Sequence, residues 1–127
     1  MGTRRVVVVV DDDSSIREVA ALSLSAVGGH EVHSAGDGVG GVRLAREVRP
    51  DVILLDVMMP TLDGPTVLAR MRAVDALRDV PVVFLTAKIG SHDIGRLDGL
   101  GAAGVITKPF DPLALPQILA DMLGWPA

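Results

Sequence analysis

Runs of apolar residues alternate with amphipathic stretches five times along this chain. The three most apolar runs cover residues 6–10, 51–56 and 80–86, and their β-branched residues predict strands that are buried on both faces of a sheet. Two shorter and more polar runs, over 31–35 and 104–107, predict strands at the edges of the same sheet.

Apolar residues recur at helical spacing between the predicted strands and after the last one. This spacing predicts five helices, the second over 38–48, the fourth over 91–101 and the last from Asp111 to about Leu123. The apolar face of the first helix is formed by Ile16, Ala20, Leu24 and Val27, and the pattern of the second consists of Val39, Val42, Ala45 and Arg46. The third helix is expected to turn Val67, Leu68, Met71 and Val74 inward, and the fourth to carry Ile94, Leu97 and Leu100 on one side.

Two helix starts have a local signature. Ser14 or Ser15 is expected to cap the first helix, because Ser15 and Glu18 have the spacing of a capping box. Pro116 lacks a backbone N–H, so the last helix is expected to start late or to be distorted.

Strands that alternate with helices through short connections predict a parallel sheet with helices on both faces. If the most apolar strands are central, the strand order is 2-1-3-4-5, which is the order of flavodoxin-like doubly wound α/β folds. With no linker, repeat or low-complexity segment in the sequence, we expect one domain over residues 1–127.

Composition narrows the function classes. The chain has 127 residues, a formal net charge of −4 and no run of Lys or Arg, which argues against direct nucleic-acid binding. It has no Cys, so disulfides, thiolate nucleophiles and Cys-based metal sites are excluded. The longest apolar run, 6–10, is too short to span a membrane, and no signal peptide precedes it, so a cytoplasmic protein without membrane contact is expected.

Polar residues stand where the predicted strands end. Asp11 and Asp12 follow the first strand, Asp56 ends the third, Thr86 ends the fourth and Lys108 follows the fifth. Neighbouring strands lie ~4.8 Å apart, and ligands of such sheets bind outside the carboxyl ends of the strands. We therefore expect these five side chains to converge on one edge of the sheet.

Each of these residues alone has an ordinary explanation as a turn, cap or surface residue, and their joint placement is what indicates a site. Three close carboxylates repel one another unless a cation lies among them. Carboxylate oxygens suit Mg²⁺, and a remaining carboxylate oxygen can act as a nucleophile toward phosphorus. Lys108 and Thr86 would then supply a cation and a hydrogen-bond donor to phosphoryl oxygens.

The chain resembles a receiver domain of a two-component response regulator, of the CheY-like superfamily, over essentially its whole length. The motifs that carry the resemblance are Val-Val-Asp11-Asp12, Asp51-Val-Ile-Leu-Leu-Asp56-Val-Met-Met-Pro60, Asp63-Gly64, Leu85-Thr86-Ala87 and Lys108-Pro109-Phe110.

The resemblance implies a phosphorylation-dependent signalling switch with only weak self-phosphorylating and self-dephosphorylating chemistry. It implies that Asp56 accepts a phosphoryl group from a histidine kinase or phosphotransfer protein. It also implies that Asp11, Asp12, Asp56 and the backbone carbonyl of Met58 hold Mg²⁺.

Further roles follow from the same resemblance. Lys108 becomes the counter-charge of the phosphoryl group, Thr86 becomes the switch hydroxyl, and the Lys108–Pro109 peptide bond is expected to be cis. Asp13 matches no ligand position and is interpreted as part of the loop or helix start.

The sequence departs from the family pattern in its output region. Val105 stands where an aromatic residue is frequent, and the chain contains no Tyr. We hypothesise that phosphorylation instead orders or repositions residues 87–101, and that an unidentified downstream protein reads the face of the fourth helix, the fifth strand and the last helix. Glycines that weaken this segment are Gly90, Gly95, Gly99 and Gly101.

Two alternatives stay open at the level of sequence. One is a small aspartate-nucleophile phosphatase of the haloacid-dehalogenase type, with Asp11 and Asp13 as nucleophile and acid/base. The other is a receiver domain excised from a larger regulator or hybrid kinase. His30, His33 and His92 are scattered without metal-ligand spacing and are expected at the surface.

Overall fold

The computed structural model describes residues 4–87, 97 and 99–126 of the chain. Five parallel strands form one sheet in the order β2-β1-β3-β4-β5, which confirms the predicted doubly wound fold and its edge strands. The strands are β1 (Val6–Val10), β2 (Glu31–Ala35), β3 (Val52–Asp56), β4 (Val82–Thr86) and β5 (Gly104–Thr107).

Helices connect the strands and cover both faces of the sheet. The α-helices are α1 (Ser14–Leu22), α2 (Gly38–Val48), α3 (Gly64–Arg72) and α4 (Leu115–Leu123), with a π-helical turn over Ser23–Val27 after α1 and a 3₁₀ turn over Asp75–Leu77 after α3. In the described part of the chain, no helix is both long and apolar enough to cross a bilayer.

The predicted helix over 91–101 falls mostly outside the described residues, as do Gly90, His92, Ile94 and Gly95. Leu97 is buried in helical conformation, as predicted. Residues 99–101 form a turn, so the helix ends earlier than expected, and Leu100 in that turn is exposed rather than inward-facing.

Successive residues of each central strand face opposite layers of the core. Val8 and Val10 pack with α2 and α3 on one face, whereas Val7 and Val9 pack with α1 and α4 on the other. Every residue of β3 and β4 is buried. This double burial explains why the central strands read as continuous apolar runs.

The cap of α1 differs from the prediction. Asp13, with an extended backbone, is the N-cap, and its carboxylate accepts hydrogen bonds from the backbone N–H groups of Ser15 and Ile16 at 2.9 and 3.3 Å. Ser14 and Ser15 are therefore inside the helix, because the carboxylate one residue earlier already reaches the free N–H groups. The late start of α4, with Pro116 in its first turn, is confirmed.

Two apolar residues of the predicted helix patterns are exposed. Val27 lies in the π-helical turn, whose wider spacing rotates it out of the apolar stripe of α1. Val39 is exposed because glycines occupy the inner face of α2: a Cβ on Gly41 would lie 2.7 Å from Cγ2 of Val10. The glycines of α2 thus bring the helix close to the sheet.

The histidines are less uniform than expected. His30 is half-buried, accepts a hydrogen bond from the backbone N–H of Arg5 at 3.1 Å, and packs edge-on against Trp125 with ring centroids 5.4 Å apart. The prediction of a free surface residue was wrong for His30, because the chain end folds back under the sheet. His33 lies beside Glu31 on the edge strand, 2.7 Å from its carboxylate.

Candidate functional site

Strand register aligns the polar residues at the carboxyl edge of the sheet. Val10 is level with Leu55 of β3, which sets Asp11 beside Asp56, and Asp56 is level with Leu85 of β4. The five residues predicted from strand ends are thereby brought to one edge, with Asp12 at its rim.

Three carboxylates form a compact group there. Asp11, Asp12 and Asp56 each offer an oxygen, and these three oxygens lie within 4.8 Å of one another. Asp11 and Asp56 are buried, with 0% and 4% of their surface exposed, whereas Asp12 is exposed. One open side with a buried floor is an arrangement through which a ligand can enter.

Lys108 reaches both buried carboxylates. Its Nζ lies 2.7 Å from Oδ2 of Asp11 and 3.2 Å from Oδ1 of Asp56. The peptide bond between Lys108 and Pro109 is cis, as the resemblance implied. The long Lys108 side chain thus reaches across the strand ends from β5, and its ammonium makes ion pairs with both carboxylates.

The electrostatics of the site disfavour full ionisation. Burial, followed by the charge of Asp11, raises the pKa of Asp56 from 3.8 to about 6, although Lys108 acts in the opposite direction. Burial by itself would lower the pKa of Lys108, but the ion pairs with Asp11 and Asp56 outweigh it and raise that pKa. The site therefore has a deficit of positive charge.

The donor set fits a hard divalent cation. Oδ2 of Asp11 is buried, and the ammonium of Lys108 lies 2.7 Å from it. Two buried carboxylates that share one ammonium, with a third carboxylate close by, need further positive charge, and an oxygen-liganded ion such as Mg²⁺ would supply it. The exposed Met58 lies two residues after Asp56, and its backbone N–H donates to Oδ1 of Asp56 at 3.3 Å.

Thr86 ends β4 on the other side of Asp56 and is almost fully buried. Its carbonyl accepts a hydrogen bond from the backbone N–H of Lys108 at 2.8 Å, which fixes the start of the Lys108 loop relative to β4. This bond joins the end of β4 to the end of β5 and holds Thr86 and Lys108 next to each other.

The Asp63–Gly64 motif acts through packing. The carboxylate of Asp63 caps α3 by accepting from the backbone N–H of Thr66 at 2.9 Å. A Cβ on Gly64 would lie 2.6 Å from the carbonyl oxygen of Asp56. Only glycine lets α3 start directly against the strand end that carries Asp56.

Arg17 belongs to the site's surroundings and was not predicted. Its Nη1 donates to the carbonyl oxygen of Asp11 at 2.8 Å, and the same guanidinium lies against Gly36 in the loop after β2. It therefore ties α1 to the backbone that orients Asp11. The only signal in the sequence is its position one turn into a helix that follows the acidic loop.

Comparison with known proteins decides the family. The profile of the family described as the response regulator receiver domain matches residues 7–120. The chain belongs to the receiver domains of two-component response regulators. These domains are phosphorylation-dependent signalling switches, and their acidic pocket binds Mg²⁺.

Two curated relatives illustrate the similarity. The receiver domain is 42% identical over 116 residues to the transcriptional regulatory protein AfsQ1 of Streptomyces coelicolor, covering 90% of this chain and 49% of that protein. It is 38% identical over 107 residues to the DNA-binding dual master transcriptional regulator RpaA of Synechocystis, covering 83% and 43%. The chain spans about half the length of the curated relatives it matches.

Solved structures agree with the fold. The chemotaxis response regulator CheY4 of Vibrio cholerae has a TM-score of 0.87 at 32% identity, covering 94% of this chain and 99% of that one. The receiver domain of sensor histidine kinase PA1611 from Pseudomonas aeruginosa, solved with a magnesium ion in its active-site cleft, has a TM-score of 0.83 at 30% identity, covering 96% and 99%.

The phosphatase alternative is not favoured. The family match accounts for the acidic cluster, and Asp13, which that alternative needed as acid/base, instead caps α1 and is not part of the carboxylate group.

Proposed function

We propose that Asp56 is the phosphoryl acceptor of this receiver domain. The observation that supports it is the pairing of Lys108 with both Asp56 and Asp11 in a buried site that brings three carboxylates together. An oxygen of Asp56 forms a bond to phosphorus, the P–N bond of a kinase phosphohistidine breaks, and the imidazole nitrogen keeps the electron pair and takes up a proton.

Asp11, Asp12, Asp56 and the backbone carbonyl of Met58 would hold Mg²⁺. An ion held by these groups would neutralise charge on the phosphoryl oxygens. The chain itself supplies the remaining positive charge, because Lys108 can transfer its contact from Oδ1 of Asp56 to a phosphoryl oxygen. The Thr86 hydroxyl is the proposed donor to another phosphoryl oxygen.

Localising the phosphoaspartate tests this assignment. The chain is treated with acetyl phosphate and Mg²⁺, the acyl phosphate is trapped by borohydride reduction, and the modified residue is identified by mass spectrometry. We expect modification at Asp56 only. Modification at Asp11 would contradict the assignment and would favour the phosphatase chemistry.

Partners and output are part of the same proposal. We expect a histidine kinase or phosphotransfer protein as phosphoryl donor, and a downstream protein that reads the face of residues 91–101, β5 and α4. Val105 is half-buried against the core and is much smaller than the aromatic residue that is frequent at this position. Cytoplasmic location, a single domain over 1–127, weak self-chemistry, and no direct contact with membrane or nucleic acid stay predictions.

The hypothesis that phosphorylation orders residues 87–101 rests on the glycine content of that segment and can be tested separately. Interior glycines cost ~1 kcal/mol each in a helix, so this segment should lie at the low-stability end of the molecule. Hydrogen exchange is expected to become slower there with beryllofluoride and Mg²⁺. Protection equal to that of β4 in the free protein, or no response to the mimic, would refute the hypothesis.

A further inference from the structure

A second candidate site lies away from the phosphoryl site, in an open groove between α2 and α3. The groove has a volume of about 540 Å³. Arg43 and Arg46 of α2 and Arg70 of α3 line it together with one acid, Glu47, and the side chains of Val39 and Val42.

The arginines of this groove differ from most others in the chain. Within the described residues, the side chains of Arg43, Arg46 and Arg70 make no ion pair or hydrogen bond. In contrast, Arg72, two residues after Arg70, donates to the carbonyls of Leu77 and Val80 at 3.1 and 2.8 Å. Arg72 is the arginine that binds the chain after this helix, so the guanidinium of Arg70 can contact a ligand.

Charge and apolar surface together define the ligand. Three arginines against one glutamate make the groove locally positive on a chain whose formal net charge is −4. Arginine binds carboxylates through two parallel hydrogen bonds. Val39, with 51% of its surface exposed, adds an apolar contact that a bare phosphate does not use.

We propose that the α2–α3 groove docks an acidic amphipathic segment of a protein partner. Carboxylates of the segment pair with Arg43, Arg46 and Arg70, and its apolar side chains lie against Val39 and Val42, in the manner of a helix in a groove. Nucleic acid is disfavoured, because Glu47 stands among the arginines and the described lining residues form no extended basic track for a phosphate backbone. The proposal does not depend on Asp56 as phosphoryl acceptor.

The test uses a short acetylated and amidated peptide with Glu and Leu at three- and four-residue spacings, so that both lie on one face of a helix. Titrated into the isotopically labelled chain, it is expected to shift the amide resonances of Val39, Arg43 and Arg70 in a saturable way. A peptide with Gln for Glu and one with Ser for Leu should each bind at least about tenfold more weakly, since each removes one half of the recognition.

Variants connect binding to the groove. Arg43→Gln and Arg70→Gln should each weaken binding about tenfold. The matched control is Arg49→Gln, because Arg49 is also exposed at the end of α2 but lies outside the groove. Thermal unfolding of each variant, with a midpoint near that of the wild type, verifies that the fold is retained, as expected for exposed side chains.

Several outcomes would overturn the proposal. They are no saturable shift, shifts that map outside the groove, equal binding of the Gln peptide, or an equal loss in Arg49→Gln. The same titration is repeated with inorganic tripolyphosphate in place of the peptide. If it produces the same shifts with equal affinity, the groove is a general anion site and the protein-segment proposal is wrong.

Discussion

At the carboxyl end of the sheet, Asp11 and Asp56 are buried beside each other and share one ammonium. At the amino end, Asp51 precedes the same strand that Asp56 ends, and its Oδ2 accepts a hydrogen bond from the backbone N–H of Val6 at 2.8 Å. At the carboxyl end the two carboxylates therefore repel each other, whereas at the amino end a carboxylate accepts a hydrogen bond from the first N–H of a strand.

The aromatic residue of the amino end strengthens this difference. Trp125 lies under the guanidinium of Arg5, with 5.1 Å from Cζ to the ring centroid, and its ring contacts His30. These polar groups each have a partner, whereas at the carboxyl end Asp11 and Asp56 share one ammonium with a third carboxylate close by, so the negative charge there is not fully matched. A fold that satisfies polar groups at one end and leaves charge unmatched at the other marks the second end as the site of ligand chemistry.

The largest expected effect is on phosphorylation, and it should distinguish Asp56, which ends β3, from Asp51, which precedes it. Asp56→Asn should abolish phosphorylation by acetyl phosphate, because an amide is a poor nucleophile toward phosphorus. Asp51→Asn is the matched control, and its labelling should remain at the wild-type level. Mg²⁺-dependent labelling of the Asp56 variant, followed on Phos-tag gels, would contradict the assigned role.

Substitutions of Asp12 and of its neighbour Asp13 should have different effects on Mg²⁺ affinity. Asp12→Ala should weaken Mg²⁺ affinity about tenfold or more, because a ligand and a charge are both lost. Asp13→Ala should leave the affinity unchanged and reduce stability by ~1 kcal/mol, because Asp13 caps α1. Calorimetric titration and chemical denaturation measure the two effects, and equal affinities of the two variants would refute the ligand role of Asp12.

The raised pKa of Asp56 predicts a pH-dependent stability of the metal-free protein. Because the folded-state pKa is about 6 and the ordinary value is 3.8, the protonated carboxyl stabilises the fold at low pH, and this contribution is lost as the pH rises from about 4 to about 6. With EDTA present, Asp56→Asn should therefore be more stable than the wild type at pH 8, by about 1–3 kcal/mol.

The advantage of that variant should shrink below pH 4, where Asp56 is protonated in both the folded and unfolded states. Urea denaturation at several pH values measures it, and Asp51→Asn serves again as the control at the satisfied end. A destabilised Asp56 variant at pH 8 would show that the buried carboxylate is not in electrostatic conflict.

Arg17 offers a smaller test in which the sign of the effect separates two roles. If Arg17 acts only through its charge, then Arg17→Gln should bind Mg²⁺ more tightly, because a repelling cation is removed. We expect weaker binding instead, by a factor of about ten or less, because the backbone of Asp11 loses the donor that orients it. Arg17→Lys should restore the charge without restoring the affinity.

The smallest effect is expected at the amino end. Burial, followed by the charge of Arg5, lowers the pKa of His30 below 6.5. A lowered pKa favours the neutral ring in the folded state, so the stability that this ring contributes is present above pH 6.5 and is lost as the pH falls through the folded-state pKa. Trp125→Ala should raise the pKa of His30 toward its ordinary value, as followed by the ring resonances in NMR. An unchanged pKa would mean that Trp125 does not bury His30.

The sequence alone determined the fold and the membership of the site. Continuous apolar runs specify strands buried on both faces, and parallel connections then bring Asp11, Asp56, Thr86 and Lys108 to one edge. Residue spacing is enough for this inference, because strand period and handedness leave few arrangements.

Only the tertiary structure decided how the individual side chains are used. Asp13 rather than a serine caps α1, and Arg17 holds the backbone of Asp11. His30 is drawn under the sheet by Trp125, while Arg70 faces a groove and Arg72 does not. These outcomes depend on contacts between residues that are distant in the sequence, or on one-residue differences in helix phase, and local periodicity carries information about neither.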